Sequence, residues 1–136
     1  MKGHQKFKFS CEHEDRCLDL VCGKLDNQNL NLFFNLDLPS VYLFRASSDA
    51  LHDDGIYEGD YIVCNRALLV EDQSIIIIAV DGKFYIRRFN DGQKPYLSAS
   101  NPKFKDIDLT KAKEVEVFGV VTGVIRKYKN IIKNRN

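Results

Sequence analysis

The sequence predicts a mostly β protein in which one compact β domain follows an extended N-terminal arm. From Val41 onward, short runs of β-branched and aromatic residues alternate with turn signals, a pattern typical of all-β domains. The chain has 136 residues, which is enough for one domain with a hydrophobic core and too few for a multidomain enzyme. Residues 1–38 are instead rich in charge, Asn and Cys, without sustained periodicity, and are assigned to the arm.

The boundaries of the domain follow from local signals. Residues 30–34 suit a short helical turn within the arm, and Pro39 marks the entry to the compact domain. We assign residues 39–128 to this domain and residues 129–136 to a basic tail.

The first strands of the domain are predicted from β-prone runs between turns. They cover residues 41–45 and 61–64, and the second follows a Glu-Gly-Asp turn. Residues 74–80 contain four consecutive isoleucines, which is too apolar for a half-solvated strand and predicts burial on both faces. Asp81-Gly82 is the strongest hairpin signal in the chain and joins this strand to residues 83–89.

Two further strands complete the predicted domain. Residues 96–99 form a short strand, and residues 115–125 form a long β-branched one whose glycines suit a bend or bulge. The long C-terminal strand also offers a surface for a symmetric dimer.

Composition and charge exclude several classes of protein. The apolar fraction of 44% and the charged fraction of 29% exclude a disordered or fibrous chain. The longest apolar run, residues 75–80, is too short for a membrane span, and the N-terminus lacks the apolar segment of a signal peptide. We therefore expect a cytoplasmic protein that contacts no membrane, with reduced thiols at its 4 cysteines.

Charge is unevenly distributed along the chain. The net charge is +1, yet residues 126–136 carry five basic and no acidic side chains, which leaves 15 basic against 19 acidic residues over 1–125. Such a basic end can contact nucleic acid or an acidic partner, or simply aid solubility, so direct DNA contact stays open.

Five segments of the domain carry motifs in a fixed order. They are residues 41–51 (Val-Tyr-Leu-Phe-Arg-Ala-Ser-Ser-Asp-Ala-Leu), 54–63 (Asp-Gly-Ile-Tyr-Glu-Gly-Asp-Tyr-Ile-Val), 79–89 (Ala-Val-Asp-Gly-Lys-Phe-Tyr-Ile-Arg-Arg-Phe), 100–102 (Ser-Asn-Pro) and 117–121 (Val-Phe-Gly-Val-Val). In this order they resemble the LexA/UmuD superfamily of self-cleaving SOS proteins, from about Val41 to Arg126. The resemblance implies the β-clip type domain found at the C-terminus of LexA and UmuD.

The resemblance also implies where the chemistry of the family would lie. In that family a serine attacks a peptide bond of the protein's own arm, and a lysine with a pKa lowered by burial takes the serine proton. The position matching the nucleophile holds Ala50, which has no hydroxyl, and the position matching the base holds Arg87, whose guanidinium stays protonated. We therefore expect a non-catalytic version of the fold.

Neighbouring residues are not expected to restore this chemistry. Ser47 and Ser48 precede Ala50, but side-chain direction alternates along an extended segment, and turn hydrogen bonding explains both hydroxyls. Lys83 shares a strand face with Arg87, and four residues at about 3.3 Å each leave it roughly 13 Å away.

The arm contains a dipeptide that resembles a cleavage site. Cys22-Gly23 is similar to the scissile Cys-Gly or Ala-Gly pair of the family. The segment from Gly23 to Ala50 is several residues shorter than in UmuD, so we interpret the pair as a vestigial site.

Four soft ligands in the arm raise the question of metal binding. Cys11, His13, Cys17 and Cys22 offer the donor atoms that zinc prefers. Their spacing matches no common structural zinc pattern, so we favour a protein without metal or cofactor and leave zinc as the alternative. Cys64, in an apolar strand, is interpreted as a small buried side chain, and His52 as a polar loop residue.

The favoured function is that of a UmuD-like subunit. The resemblance implies a homodimer that binds a UmuC-type translesion DNA polymerase and the RecA filament during the SOS response. The absence of a helix-turn-helix ahead of the domain argues against a LexA-type repressor. Two alternatives stay open: an active RecA-stimulated autoprotease in which the alignment is misplaced or Ala50 replaces a native serine, and an inhibitory partner that dimerises with an active relative.

Overall fold

A computed structural model of the protein describes Asp19 and residues 30–128. The chain divides into two compact units, Met1–Pro39 and Ser40–Asn136. In the first unit, a single helical turn, α1 (Leu30–Phe33), forms at the place where the sequence predicts one. The strands of the described residues belong to the second unit and are β1 (Val41–Arg45), β2 (Tyr61–Asn65), β3 (Ile75–Val80), β4 (Lys83–Asn90), β5 (Tyr96–Ser98), β6 (Ile107–Asp108) and β7 (Val115–Ile125).

The seven strands form one antiparallel sheet in the order β1-β2-β7-β3-β4-β5-β6. This arrangement confirms the predicted mostly β domain. Strand β7 lies between β2 and β3, so the C-terminal strand joins the two halves of the sheet. The two-residue strand β6 and the 3₁₀ turns at His52–Asp54 and Leu109–Lys111 are not predicted from the sequence.

The β3–β4 hairpin forms where the sequence predicts it. Asp81 and Gly82 both have positive φ angles, 51° and 84°, which two-residue turns of type I′ require. Val80 therefore pairs with Lys83 across the turn.

The isoleucines of β3 are buried on both faces of the sheet. Ile77 belongs to one core cluster, whereas Ile76 and Ile78 belong to a second cluster, because successive side chains of a strand point to opposite faces. The first cluster comprises Ala46, Leu51, Ile56, Ile62, Cys64 and Ile77, and the second comprises Ile76, Ile78, Val80 and Leu97. Burial on both faces, as predicted for this run, is confirmed.

The predicted irregularity of β7 is also confirmed. Its pairing with β2 shifts register between Val63 and Cys64, and its pairing with β3 shifts between Ile77 and Ile78. The two shifts lie beside Gly123 and Gly119. Each bulge adds one residue to β7 and lets this long strand bend between its two neighbours.

Among the described residues, no helix combines the length and the apolarity needed to cross a membrane.

Candidate functional site

A cleft of about 340 Å³ opens beside the first core cluster. One wall is formed by the end of β1 and the loop that follows it, and the other by β4. The lining residues are Phe44, Arg45, Ala46, Ser47, Ser48, Ile62, Ile77, Phe84, Tyr85, Ile86, Arg87 and Phe104. The cleft thus combines apolar and aromatic walls with two serine hydroxyls, the phenol of Tyr85 and two guanidinium groups.

Arg87 lies in this cleft on β4, and its side chain is almost fully buried. Only 6% of the residue is exposed, and its guanidinium carbon lies 5.2 Å from the ring centroids of both Tyr85 and Phe104. Nη1 donates a hydrogen bond to the Ile86 carbonyl at 2.9 Å, whereas Nε is buried and makes no hydrogen bond. Burial lowers the pKa of Arg87, but an arginine stays protonated in proteins.

Ala50 lies in a buried turn, two residues after the cleft-lining Ser48. The residue is 0% exposed and does not line the cavity. Its carbonyl oxygen accepts hydrogen bonds from the backbone N–H groups of Ser100 and Asn101 at 2.9 and 3.0 Å. The Asn101 side-chain amide donates to the Asp49 carbonyl at 3.1 Å. The Ser-Asn-Pro motif therefore holds this turn in place, a role that its sequence alone does not reveal.

The hydroxyls of Ser47 and Ser48 belong to cleft-lining residues, unlike Ala50. Ser48 Oγ accepts a long hydrogen bond from the Ala50 backbone N–H at 3.4 Å, as expected for a serine in a turn. Lys83 is exposed and lies outside the lining. The cleft therefore contains hydroxyls but no lining side chain able to accept their proton at neutral pH.

His52 is also outside the cleft lining. Its Nδ1 is buried without a hydrogen bond, and its Nε2 lies 3.5 Å from Asp53 Oδ1. The position in a 3₁₀ turn agrees with the interpretation of a loop residue.

Arg126 occupies a different place from the one its sequence position indicates. Its sequence position groups it with the basic end of the chain, but its guanidinium binds the buried Asp60, with Nε–Oδ1 and Nη2–Oδ2 distances of 2.7 Å. Nη2 also donates to the Gly55 carbonyl at 2.7 Å, and the Tyr57 N–H donates to Asp60 Oδ2 at 2.8 Å. The hydrogen bonds from Arg126 are the main cause of a lowered pKa at Asp60. Arg126 therefore stabilises the fold, and these bonds occupy the guanidinium that would otherwise be available to nucleic acid.

Cys64 is a buried free thiol, as the sequence predicts. Burial raises its pKa to about 11, so it is not a reactive thiolate at neutral pH.

Several predicted site residues lie outside the described part of the chain. These are the vestigial Cys22-Gly23 pair, the ligand cluster Cys11, His13, Cys17 and Cys22, and the basic tail 129–136. Within the described residues, no group of three or more His, Cys, Asp or Glu side chains is arranged to hold a metal ion.

The antiparallel sheet and the cleft between the end of β1 and β4 define a mostly β domain with a candidate binding cleft. The Peptidase S24-like family matches residues 24–122, and the chain belongs to this family. The chain is 35% identical over 97 residues to the transcription regulator LexA of Synechocystis sp., a match that covers 68% of this chain and 47% of that protein. It is 28% identical over 94 residues to the protein ImpA of Salmonella typhimurium, covering 68% of this chain and 63% of that one.

A LexA repressor of Syntrophotalea carbinolica is 28% identical over 90 residues, covering 65% of this chain and 45% of the repressor. The matched region thus spans about half the length of the LexA proteins and under two thirds of ImpA. These relatives confirm the resemblance to the LexA/UmuD superfamily.

Proposed function

We propose that this chain is a non-catalytic, UmuD-like accessory subunit of an error-prone translesion DNA polymerase in the SOS response. The observation that carries the proposal is Arg87, a buried guanidinium at the position where the family's general base is expected. A protonated guanidinium cannot take a proton from a serine. Ala50, at the matching nucleophile position, is buried and has no hydroxyl.

The unpaired edges of β7 support a dimer. Residues 115–117 pair only with β3 and residues 123–125 only with β2, so within residues 30–128 each end of β7 has one edge without a neighbouring strand. Val115 and Val117, at the first of these edges, are 43% and 38% exposed. An unpaired edge with apolar side chains is suited to pairing with a second chain. This surface suits the interface of a homodimer as well as that of a heterodimer with an active relative.

The absence of self-cleavage is the first expected outcome. The purified chain is incubated with RecA filaments on single-stranded DNA and a nucleotide, and its mass is then measured. We expect the full-length mass, because neither reactive group is present. A fragment running from Gly23 to Asn136 would contradict the proposal and favour the active autoprotease.

The double variant Ala50→Ser, Arg87→Lys provides the matched control for this assay. Cleavage of the double variant alone shows that the cleft retains the family geometry and that the two substitutions account for the inactivity. A double variant that also stays intact assigns the loss to the shortened arm instead.

The accessory role is tested by purifying the chain from its host with its bound partners. We expect a UmuC-type polymerase to co-purify. Recovery of an active relative of this chain without polymerase would favour the inhibitory partner instead.

A further inference from the structure

Arg87 is a buried cation without an anionic partner. No ion pair of the described residues includes it, although only 6% of its surface is exposed. Transfer of an unpaired charge out of water is unfavourable, and the rings of Tyr85 and Phe104 offset only part of this cost. Binding of an anion would supply the missing counter-charge.

The free donors of Arg87 suit a carboxylate. A guanidinium presents five N–H donors in a planar fork that matches the two oxygens of a carboxylate. Nη1 is bonded to the Ile86 carbonyl, and Nη2 makes no hydrogen bond among the described residues, while Nε is buried without an acceptor. The side chain therefore holds donor capacity that the described residues do not use.

The charged side chains that line the cleft are all positive. Its two ionised residues are Arg45 and Arg87, and it contains no aspartate or glutamate. The other lining side chains are apolar or aromatic apart from Ser47 and Ser48, and Phe84 is 64% exposed. Such a lining favours an anionic group that is flanked by apolar groups.

Strand β1 makes an extended peptide a better occupant than a free anion. It pairs with β2 on one side, and along its other edge no strand of the described residues is paired. Phe44 and Arg45 of this strand line the cleft. An unpaired strand edge accepts an extended segment through backbone hydrogen bonds, while adjacent pockets select its side chains.

We propose that the cleft binds an extended acidic segment of a partner protein, with an Asp or Glu side chain paired to Arg87 and apolar neighbours against Phe44 and Phe84. The inference rests on the proposed function, because a cleft with intact protease chemistry would cleave such a segment rather than retain it.

The test compares pentapeptide pools that have randomised apolar flanks and a central Glu, Gln or Lys. Binding to the full chain is measured by fluorescence anisotropy. We expect the Glu pool to bind at least about tenfold more tightly than the Gln pool, as for a charge-assisted hydrogen-bonded pair. Arg87→Met should abolish this preference, and Arg87→Lys should retain part of it because a point charge replaces the fork.

Lys83→Met is the matched control, since it removes an exposed positive charge from the same strand outside the cleft lining. It should leave the preference unchanged. Thermal unfolding of each variant verifies its fold, and the comparison between Arg87→Lys and the unmodified chain decides the outcome if Arg87→Met does not fold.

Equal binding of the Glu and Gln pools, or an unchanged preference in the Arg87 variants, would overturn the inference. Acetate that competes as strongly as the peptides would show a simple anion site and overturn the peptide assignment. Mass measurement of chain and peptides after incubation separates the two proposals. Cleavage contradicts the proposed function, whereas intact peptides without preference contradict only this inference.

Discussion

Lysine and arginine differ in what they can do as buried cations. Burial lowers the pKa of either residue, and a lysine can thereby lose its proton near neutral pH. The pKa of Arg87 is lowered by burial as well, but arginine starts from a pKa so high that it stays charged. In our proposal the same position has therefore changed from a proton acceptor to a permanent anion-binding group.

Gly119 is a position at which β7 admits no side chain. A Cβ atom there would lie 2.6 Å from Cys64 Sγ and 2.9 Å from the Asn65 carbonyl oxygen. We expect Gly119→Ala to lower the free energy of unfolding by about 1–3 kcal/mol, as for other overpacked cores. Chemical denaturation followed by circular dichroism measures the change.

The double variant with Cys64→Ala tests the cause. Removal of the sulfur relieves the closest of these contacts, so the two substitutions together should cost less than the sum of each alone. Strict additivity would show that the strain comes from the backbone carbonyl only.

At the scale of single elements, local pattern predicts much of the fold. The Asp81-Gly82 pair locates the hairpin because its positive φ angles suit few other residues, and the isoleucine run identifies a strand buried on both faces. Strand β6 is missed because a pair such as Ile107–Asp108 carries no periodicity. Its pairing comes from β5, which lies beside it in the sheet.

Asp81 also connects the hairpin to the start of β7. Its Oδ1 accepts hydrogen bonds from the backbone N–H groups of Lys113 and Glu114, both at 2.8 Å. We expect Asp81→Ala to destabilise the domain by about 1–3 kcal/mol, because it removes this acceptor and disfavours the positive φ angle. Asp81→Asn keeps an acceptor oxygen and tolerates the angle, so it should cost less than half as much.

Thermal unfolding of both Asp81 variants measures the difference. Equal losses in the two variants would mean that the carboxylate charge, rather than its geometry, stabilises the hairpin.

At the scale of the whole domain, the sequence leaves the long-range contacts open. The family resemblance identifies Ala50 and Arg87 as candidate site positions, but no local sequence signal predicts that Phe104 lines the same cleft as Arg87. Likewise, the sequence alone places Arg126 in a basic end of the chain, because composition cannot reveal its ion pair with Asp60, 66 residues away. Such contacts depend on the position of β7 between β2 and β3, which no single segment specifies.

The Asp60–Arg126 pair joins the end of β7 to the turn before β2 and makes the stability of the domain depend on pH. The pKa of Asp60 is lower in the folded state than the value of about 3.9 expected in the unfolded chain. Its contribution is therefore fully present above that unfolded value and is lost as pH falls through the lower folded value. Asp60→Asn should cost about 1–3 kcal/mol at neutral pH, a moderate loss because Arg126 is 38% exposed.

Thermal unfolding between about pH 2 and pH 7 tests this dependence, since that range spans the usual aspartate pKa. The gap in melting temperature between the unmodified chain and Asp60→Asn should be widest near neutral pH and close as the solution becomes acidic. Asp106→Asn, at an exposed position, controls for the loss of one carboxylate. A gap for Asp60→Asn that stays constant at every pH would show that packing around Asp60, and not its ion pair with Arg126, stabilises this end of the domain.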